Sequence, residues 1–176
     1  MRALVVFESM FGNTETIASA IGEGLATRMP VDVVEVGSAP TEIDSDIVLL
    51  VVGGPTHAFG MSRPQTRQDA AKQAGGHVVS RSRGIREWLE AVTGSASVRT
   101  VAFDTRVDQR WVPGSAARAA HRRLRGKGFR AAAEPKTFYV QGTPGPLVEG
   151  ERSRARLWGA ELAAPILAKG IGQQHI

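Results

Sequence analysis

Apolar and polar positions along this chain change period several times, and the changes mark its elements. Ala3 to Phe7 is a short, nearly continuous apolar run, as expected of a strand covered on both faces. From residue 14 to 28 the period becomes helical. Ile17, Ile21 and Leu25 are four apart, Ala18, Ala20 and Gly24 permit close packing, and Pro30 stops the run. Val31 to Val36 predicts a second strand, and Gly37 to Ser45 a polar loop in which a short helix can begin at Thr41. Ile47 to Val52 is unbroken aliphatic sequence, the strongest strand signal in the chain, and is expected to stop at Gly53-Gly54-Pro55. Residues 61 to 84 carry little periodicity and read as a long connection with a helical stretch from Thr66 to Gln73.

The second half repeats the pattern. Ile85, Trp88, Leu89 and Val92 have the spacing of an amphipathic helix over 84–93, and Val98 to Phe103 predicts a fourth strand. Ser115 is placed to cap a helix whose inner face is Ala116, Ala117, Ala120 and Leu124, with Gly126 and Gly128 at its end. Phe129 to Val140 reads as a fifth strand split at Glu134-Pro135. A last helix runs from about Glu149 to Leu167 with Trp158, Leu162 and Ile166 on one face, and Pro165 is expected to bend or end it. Strand and helix alternate throughout. That order predicts a parallel sheet with helices on both faces: a three-layer α/β/α doubly wound domain over residues 1–169, followed by a frayed tail at 170–176.

Composition narrows the chemistry. At 176 residues the chain suits one domain with one sizeable core. No apolar run approaches the roughly eighteen residues of a membrane-spanning helix, so no membrane insertion is expected. The N-terminus reads as a strand and not as a signal peptide, which makes the cytoplasm the expected compartment. There is no cysteine, which excludes disulfides, thiolate catalysis and cysteine-ligated metal. The histidines at 57, 77, 121 and 175 form no pair at helical ligand spacing, so no metal site is expected. Any redox chemistry must come from a bound cofactor. The net charge of +5 is concentrated in Arg118, Arg122, Arg123, Arg125, Lys127 and Arg130, a cluster that favours an acidic partner surface or phosphates.

In an open parallel sheet, ligands bind beyond the carboxyl ends of the strands. Three loops lie there. In Ser9-Met10-Phe11-Gly12-Asn13-Thr14, a phosphate would meet backbone N–H groups and the positive end of a helix dipole. Ser9, Asn13 and Thr14 add short donors, and Gly12 allows close approach. The plain alternative is a strand-to-helix turn capped by Asn13 or Thr14. The chain has neither the lysine-bearing phosphate loop of nucleotide triphosphatases nor the three-glycine dinucleotide fingerprint after its first strand. The second loop, Gly53 to Gly60, contains Pro55, Thr56, His57, Ala58 and Phe59. Its two rings either border a flat ligand or serve the core. In the third, Asp104 to Trp111, Trp111 either packs on the body or covers a ligand, and Arg106 either pairs with Asp104 or Asp108 or faces the site.

These residues resemble a known family. Ser9 to Thr14 is similar to the [ST]-x-T-G-x-T phosphate loop of flavodoxins, with Phe11 where that pattern has threonine. The loop after the third strand resembles the flavodoxin segment that lines the flavin, and Gly145 to Glu151 with Trp158-Gly159 is also flavodoxin-like. The resemblance implies five parallel strands in the order 2-1-3-4-5 and non-covalent FMN. It implies phosphate contacts from Ser9, Met10, Phe11, Gly12, Asn13 and Thr14. It implies ring and ribityl contacts from Pro55, Thr56, His57, Ala58, Phe59, Gly60, Asp104, Thr105 and Arg106, with Trp111 as the aromatic candidate of the third loop. No catalytic acid, base or nucleophile is required. The function implied is electron transfer with a redox partner protein. Electron-carrier flavodoxins are typically acidic and this chain is basic, which points to an acidic partner. The rival within the same chemistry is an FMN-dependent NAD(P)H:quinone-type reductase. A response-regulator module would need acidic residues where Glu8-Ser9 and Gly53-Gly54 stand. A nucleic-acid surface or other binding module on the basic helix 115–125 is the remaining, weaker alternative, because a solvated outer face explains most of its arginines.

Overall fold

A computed structural model describes residues 1–109 and 113–171. The chain runs β1 (Arg2–Phe7), α1 (Asn13–Ala26), β2 (Val31–Glu35), β3 (Ile47–His57), β4 (Gly60–Met61), α2 (Pro64–Gln73), α3 (Ile85–Ala91), β5 (Arg99–Val107), α4 (Ala116–Gly126), β6 (Arg130–Ala131), β7 (Lys136–Val140) and α5 (Glu151–Ile171). The sheet order is β2-β1-β3-β5-β6, with β7 also beside β5 and all these pairs parallel. β6 and β7 are the two halves of the split fifth strand, so the expected order 2-1-3-4-5 is the order found.

Strand alternation builds two cores. Leu4 and Val6 of β1 join Leu50, Val52, Trp88, Leu89 and Leu124 on the α3–α4 side. Ala3, Val5 and Phe7 join Ile17, Ile21, Leu25, Leu49, Val51 and Phe138 on the α1–α5 side. Successive strand side chains point to opposite faces, so a strand apolar at every position is needed only where both faces are covered. α1 and α5 approach closely at Gly24 and Gly159: a Cβ on Gly24 would lie 2.0 Å from the Arg156 carbonyl oxygen, and one on Gly159 2.2 Å from that of Ile21. Glu151, in the first turn of α5, accepts the Tyr139 N–H at 2.7 Å and the Arg154 guanidinium, which itself stacks 4.5 Å from the Phe138 ring centroid. Burial works against the Glu151 charge, but these hydrogen bonds outweigh it and hold the carboxyl below its ordinary value.

Four boundaries differ from the sequence reading. β3 does not stop at Gly53-Gly54-Pro55 but continues to His57, where it turns back antiparallel into β4. β5 likewise runs to Val107, so Asp104 to Arg106 are strand residues paired with Thr137, Phe138 and Tyr139 of β7. Both extensions follow from pairing: a neighbouring strand overrides local turn preference. No helix begins at Thr41; the segment is held by a bridge between Glu42 and Thr93. α5 continues through Pro165 to Ile171 and so covers the first two residues of the expected tail. Residues 172–176 and Trp111 lie outside the described residues. Among the described residues, no helix is long and apolar enough to cross a membrane.

Candidate cofactor site

At the carboxyl ends of β1, β3 and β5 lies an open cleft. Ser9, Met10, Phe11, Asn13 and Thr14 form one wall, Pro55, Thr56 and His57 a second, and Thr105, Arg106 and Val107 a third; Val140 and Thr143 close it. The three loops singled out from the sequence thus converge, and the two extended strands deliver theirs as rigid strand ends.

The first wall is shaped as an anion cradle. α1 starts after Gly12, whose φ of 90° is accessible without strain only to glycine, and no side chain caps the helix. Ser9 Oγ accepts the N–H groups of Gly12 at 3.2 Å and Glu15 at 3.3 Å, which leaves its own proton to donate. Among the described residues, the N–H groups of Met10, Phe11, Asn13 and Thr14 carry no hydrogen bond. Unpartnered donors at a helix N-terminus bind phosphate well. The Thr14 and Thr105 hydroxyls are 2.7 Å apart in a buried contact that ties the cradle to β5. Asn13 Nδ2 donates to the Pro144 carbonyl at 3.2 Å, which draws the β7–α5 loop over the cradle.

The other predicted residues divide. His57 lines the cleft, and burial, aided by the Arg67 charge, lowers its imidazole below the ordinary value. Arg106 lines it too and donates to the Gly114 carbonyl at 3.0 Å. Ala58 and Phe59 form the β3–β4 tip, both at positive φ (43° and 72°), with Phe59 60% exposed. Gly60 pairs with His57. Asp104 is completely buried and serves α4 instead. Its Oδ2 accepts from Thr56 Oγ1 at 2.8 Å, Ser115 Oγ at 2.6 Å and the Ala117 N–H at 3.0 Å. Thr56 Oγ1 in turn accepts the Ala116 N–H at 2.9 Å. The Asp104 and Thr56 side chains therefore cap a helix, although the Thr56 strand residue still borders the cleft.

Sequence reading missed Val140 and Thr143 on the cleft wall, and assigned no role to Val107 of the third loop, which also lines it. It also missed the residues behind the cradle. Ser80 exchanges two hydrogen bonds with Ser9, at 3.0 and 2.8 Å. Glu8 is fully buried. Burial pushes its carboxyl up, by more than the Ser62 and Ile85 hydrogen bonds and the Arg67 charge recover. A charged residue next to the Ser9–Thr14 loop was a visible signal for Glu8; nothing local marks Ser80.

A family model described as flavodoxin matches residues 5–154. The chain belongs to the flavodoxin family. Solved structures agree on the fold. A Streptococcus pneumoniae TIGR4 flavodoxin is 21% identical, covering 94% of this chain and 99% of its own, with a TM-score of 0.66. Flavodoxin 1 from Bacillus cereus is 16% identical over 93% of this chain and 98% of its own, TM-score 0.67. A flavodoxin from the domain Archaea is 17% identical over 95% and 99%, TM-score 0.63. No curated protein sequence matches the chain. FMN is the cofactor of flavodoxins. The cradle fits its phosphate: four N–H groups without partners and the Ser9 hydroxyl stand at a helix N-terminus, and no carboxylate lines the cleft among the described residues.

Proposed function

We propose that this flavodoxin is a cytoplasmic electron carrier working through bound FMN. The observation that carries the reading is the uncapped N-terminus of α1, with its free N–H groups, at one wall of the cleft. FMN supplies the electron chemistry; the chain supplies position and electrostatics. Met10, Phe11, Asn13 and Thr14 offer backbone donors to the phosphate and Ser9 a hydroxyl. Thr105 holds Thr14 in place from β5. Pro55, Thr56 and His57 border the flat part of the ligand. His57 is held toward its neutral form, and Arg106 contributes a positive charge that favours the more reduced state.

The partner we infer is an acidic protein. On α4, Arg118, Arg122 and Arg125 stand at i, i+4 and i+7 with no acidic residue in the helix. Like charges at that spacing cost about 0.2–0.5 kcal/mol per pair, which a complementary surface would offset. Arg123 of the same helix pairs with Glu90 of α3 at 3.0 Å, so the unbalanced basic face is that of α4.

Titration of the purified chain with FMN, followed by quenching of flavin fluorescence, tests the reading. Saturable binding is expected, and a chain that leaves FMN fluorescence unchanged would refute it. Steady oxidation of NAD(P)H with a quinone and no second protein would make the chain a reductase instead. Reduction of the loaded protein by an acidic redox protein should slow with rising ionic strength.

A further inference from the structure

Between β4 and α3 the chain leaves the sheet over residues 62–85, and both ends of this excursion return to one side chain. At the entrance, the Ser62 hydroxyl donates to Glu8 Oε1 at 2.5 Å. At the exit, the Ile85 N–H donates to Glu8 Oε2 at 2.8 Å. Arg67 extends the arrangement: its Nη1 donates to Ser62 Oγ at 2.9 Å and its Nη2 to Glu87 Oε1 at 3.0 Å, while Glu87 Oε2 accepts the Gly84 N–H at 2.9 Å. The apolar core does little for the excursion, since Ala70 is the only buried residue of α2. A buried carboxyl without partners is costly, so Glu8 is satisfied only when both ends are seated.

The middle of the excursion lies on the phosphate cradle. Ser80 Oγ accepts the Ser9 N–H at 3.0 Å, the Ser80 N–H donates to the Ser9 carbonyl at 2.8 Å, and the Val79 N–H donates to the Met10 carbonyl at 3.2 Å. These bonds engage the Ser9 N–H and the Ser9 and Met10 carbonyls, and leave the N–H groups of Met10, Phe11, Asn13 and Thr14 without a partner among the described residues.

We propose that Glu8 is the positioning residue for the phosphate end of the cleft. By clasping both ends of residues 62–85 it seats Ser80 and Val79 on Ser9 and Met10, and so fixes the loop that presents the phosphate donors. This rests on the FMN reading above, and it adds a residue that need not touch the ligand. Because the effect is confined to the phosphate, it separates FMN from riboflavin, which lacks one.

The test compares dissociation constants for FMN and riboflavin on the full chain, together with tryptic cleavage after Arg81 and Arg83 in the ligand-free protein. Glu8→Gln is expected to reduce the preference for FMN over riboflavin about tenfold, the loss of roughly one buried hydrogen bond. Riboflavin affinity should be unchanged and cleavage within the excursion faster. Equal weakening of both flavins, or an unchanged preference, overturns the proposal. If Glu8→Gln does not fold, Ser62→Ala decides. It removes one of the two clasping bonds and should show the same pattern to a smaller degree; unchanged preference and cleavage count against the clasp. If the unmodified chain binds neither flavin, the FMN reading fails by itself. The clasp then stands or falls on whether the variant is cleaved faster.

Discussion

The Phe11 side chain sits where the flavodoxin pattern has a hydroxyl, and it lines the cleft without being able to donate. The cradle compensates with backbone. Phe11→Thr should therefore tighten FMN binding, by up to about tenfold if one charge-assisted hydrogen bond is gained, and leave riboflavin binding alone. Fluorescence titrations with both ligands measure this. Arg106 belongs to the same wall. One positive charge at ~6 Å in an effective dielectric of about 20 is worth roughly 3 kcal/mol, a ceiling on the order of 100 mV for one electron that solvent reduces. Arg106→Ala should lower the potential of the bound flavin by tens of millivolts, read by potentiometric titration. The loop from Ser9 to Thr14 was legible because its donors, glycine and following helix are all local. Asp104 shows where legibility stopped. The residue was visible as a polar group after a buried strand, but alternation sends it toward α4 and its neighbour Thr105 toward Thr14. Which of the two met the cleft depended on what packed on each face.

At the scale of elements, α4 is held at its start by side chains from two strands. Asp104 of β5 and Thr56 of β3 satisfy the N–H groups of Ala117 and Ala116, and Ser115 that of Arg118. An α-helix leaves its first N–H groups without internal partners, and a cap is worth about 0.5–2 kcal/mol. Asp104→Ala removes the acceptor shared by Thr56, Ser115 and Ala117. It should cost about 2–4 kcal/mol, the sum of a lost cap and newly unpaired buried donors. Urea denaturation measures the loss. FMN affinity under native conditions should fall far less than in a Ser9 variant, because Asp104 serves the scaffold. Most of the elements were readable from period, though the helix expected from Thr41 is absent and the short β4 gave no signal. The ends of β3 and β5 were not, since Gly53, Gly54 and Pro55 carry turn preferences that pairing with β5 overrides.

At the scale of the molecule, buried charge sets the response to pH. Glu8 has a raised carboxyl pKa, so the stability tied to its protonated form is fully present below the ordinary carboxylate range and is lost as pH rises through the folded value. Glu87 behaves oppositely. Burial opposes its charge, but Arg67 and the Gly84 N–H lower its pKa, and its contribution is lost as pH falls below about 4.5. Subtracting the Glu8→Gln denaturation midpoint from that of the unmodified chain isolates Glu8. The difference should shift in favour of the unmodified chain as pH is lowered from about 8 to 4.5. A flat difference would mean that Glu8 titrates alike in the folded and unfolded chain.

By itself the sequence determined most of the succession of strands and helices, the doubly wound sheet and the strand-to-helix loop from Ser9 to Thr14, because period, turn residues and loop composition act over a few neighbouring positions. Tertiary structure alone decided that β3 and β5 extend to the cleft, that Asp104 caps α4, and that residues 62–85 fold back so that Ser80 meets Ser9 and Glu8 closes both ends. Those outcomes depend on contacts between residues far apart in the chain. A hydroxyl such as Ser80 has no local feature that distinguishes a solvated loop from a buried partner, and only the surrounding fold supplies the difference.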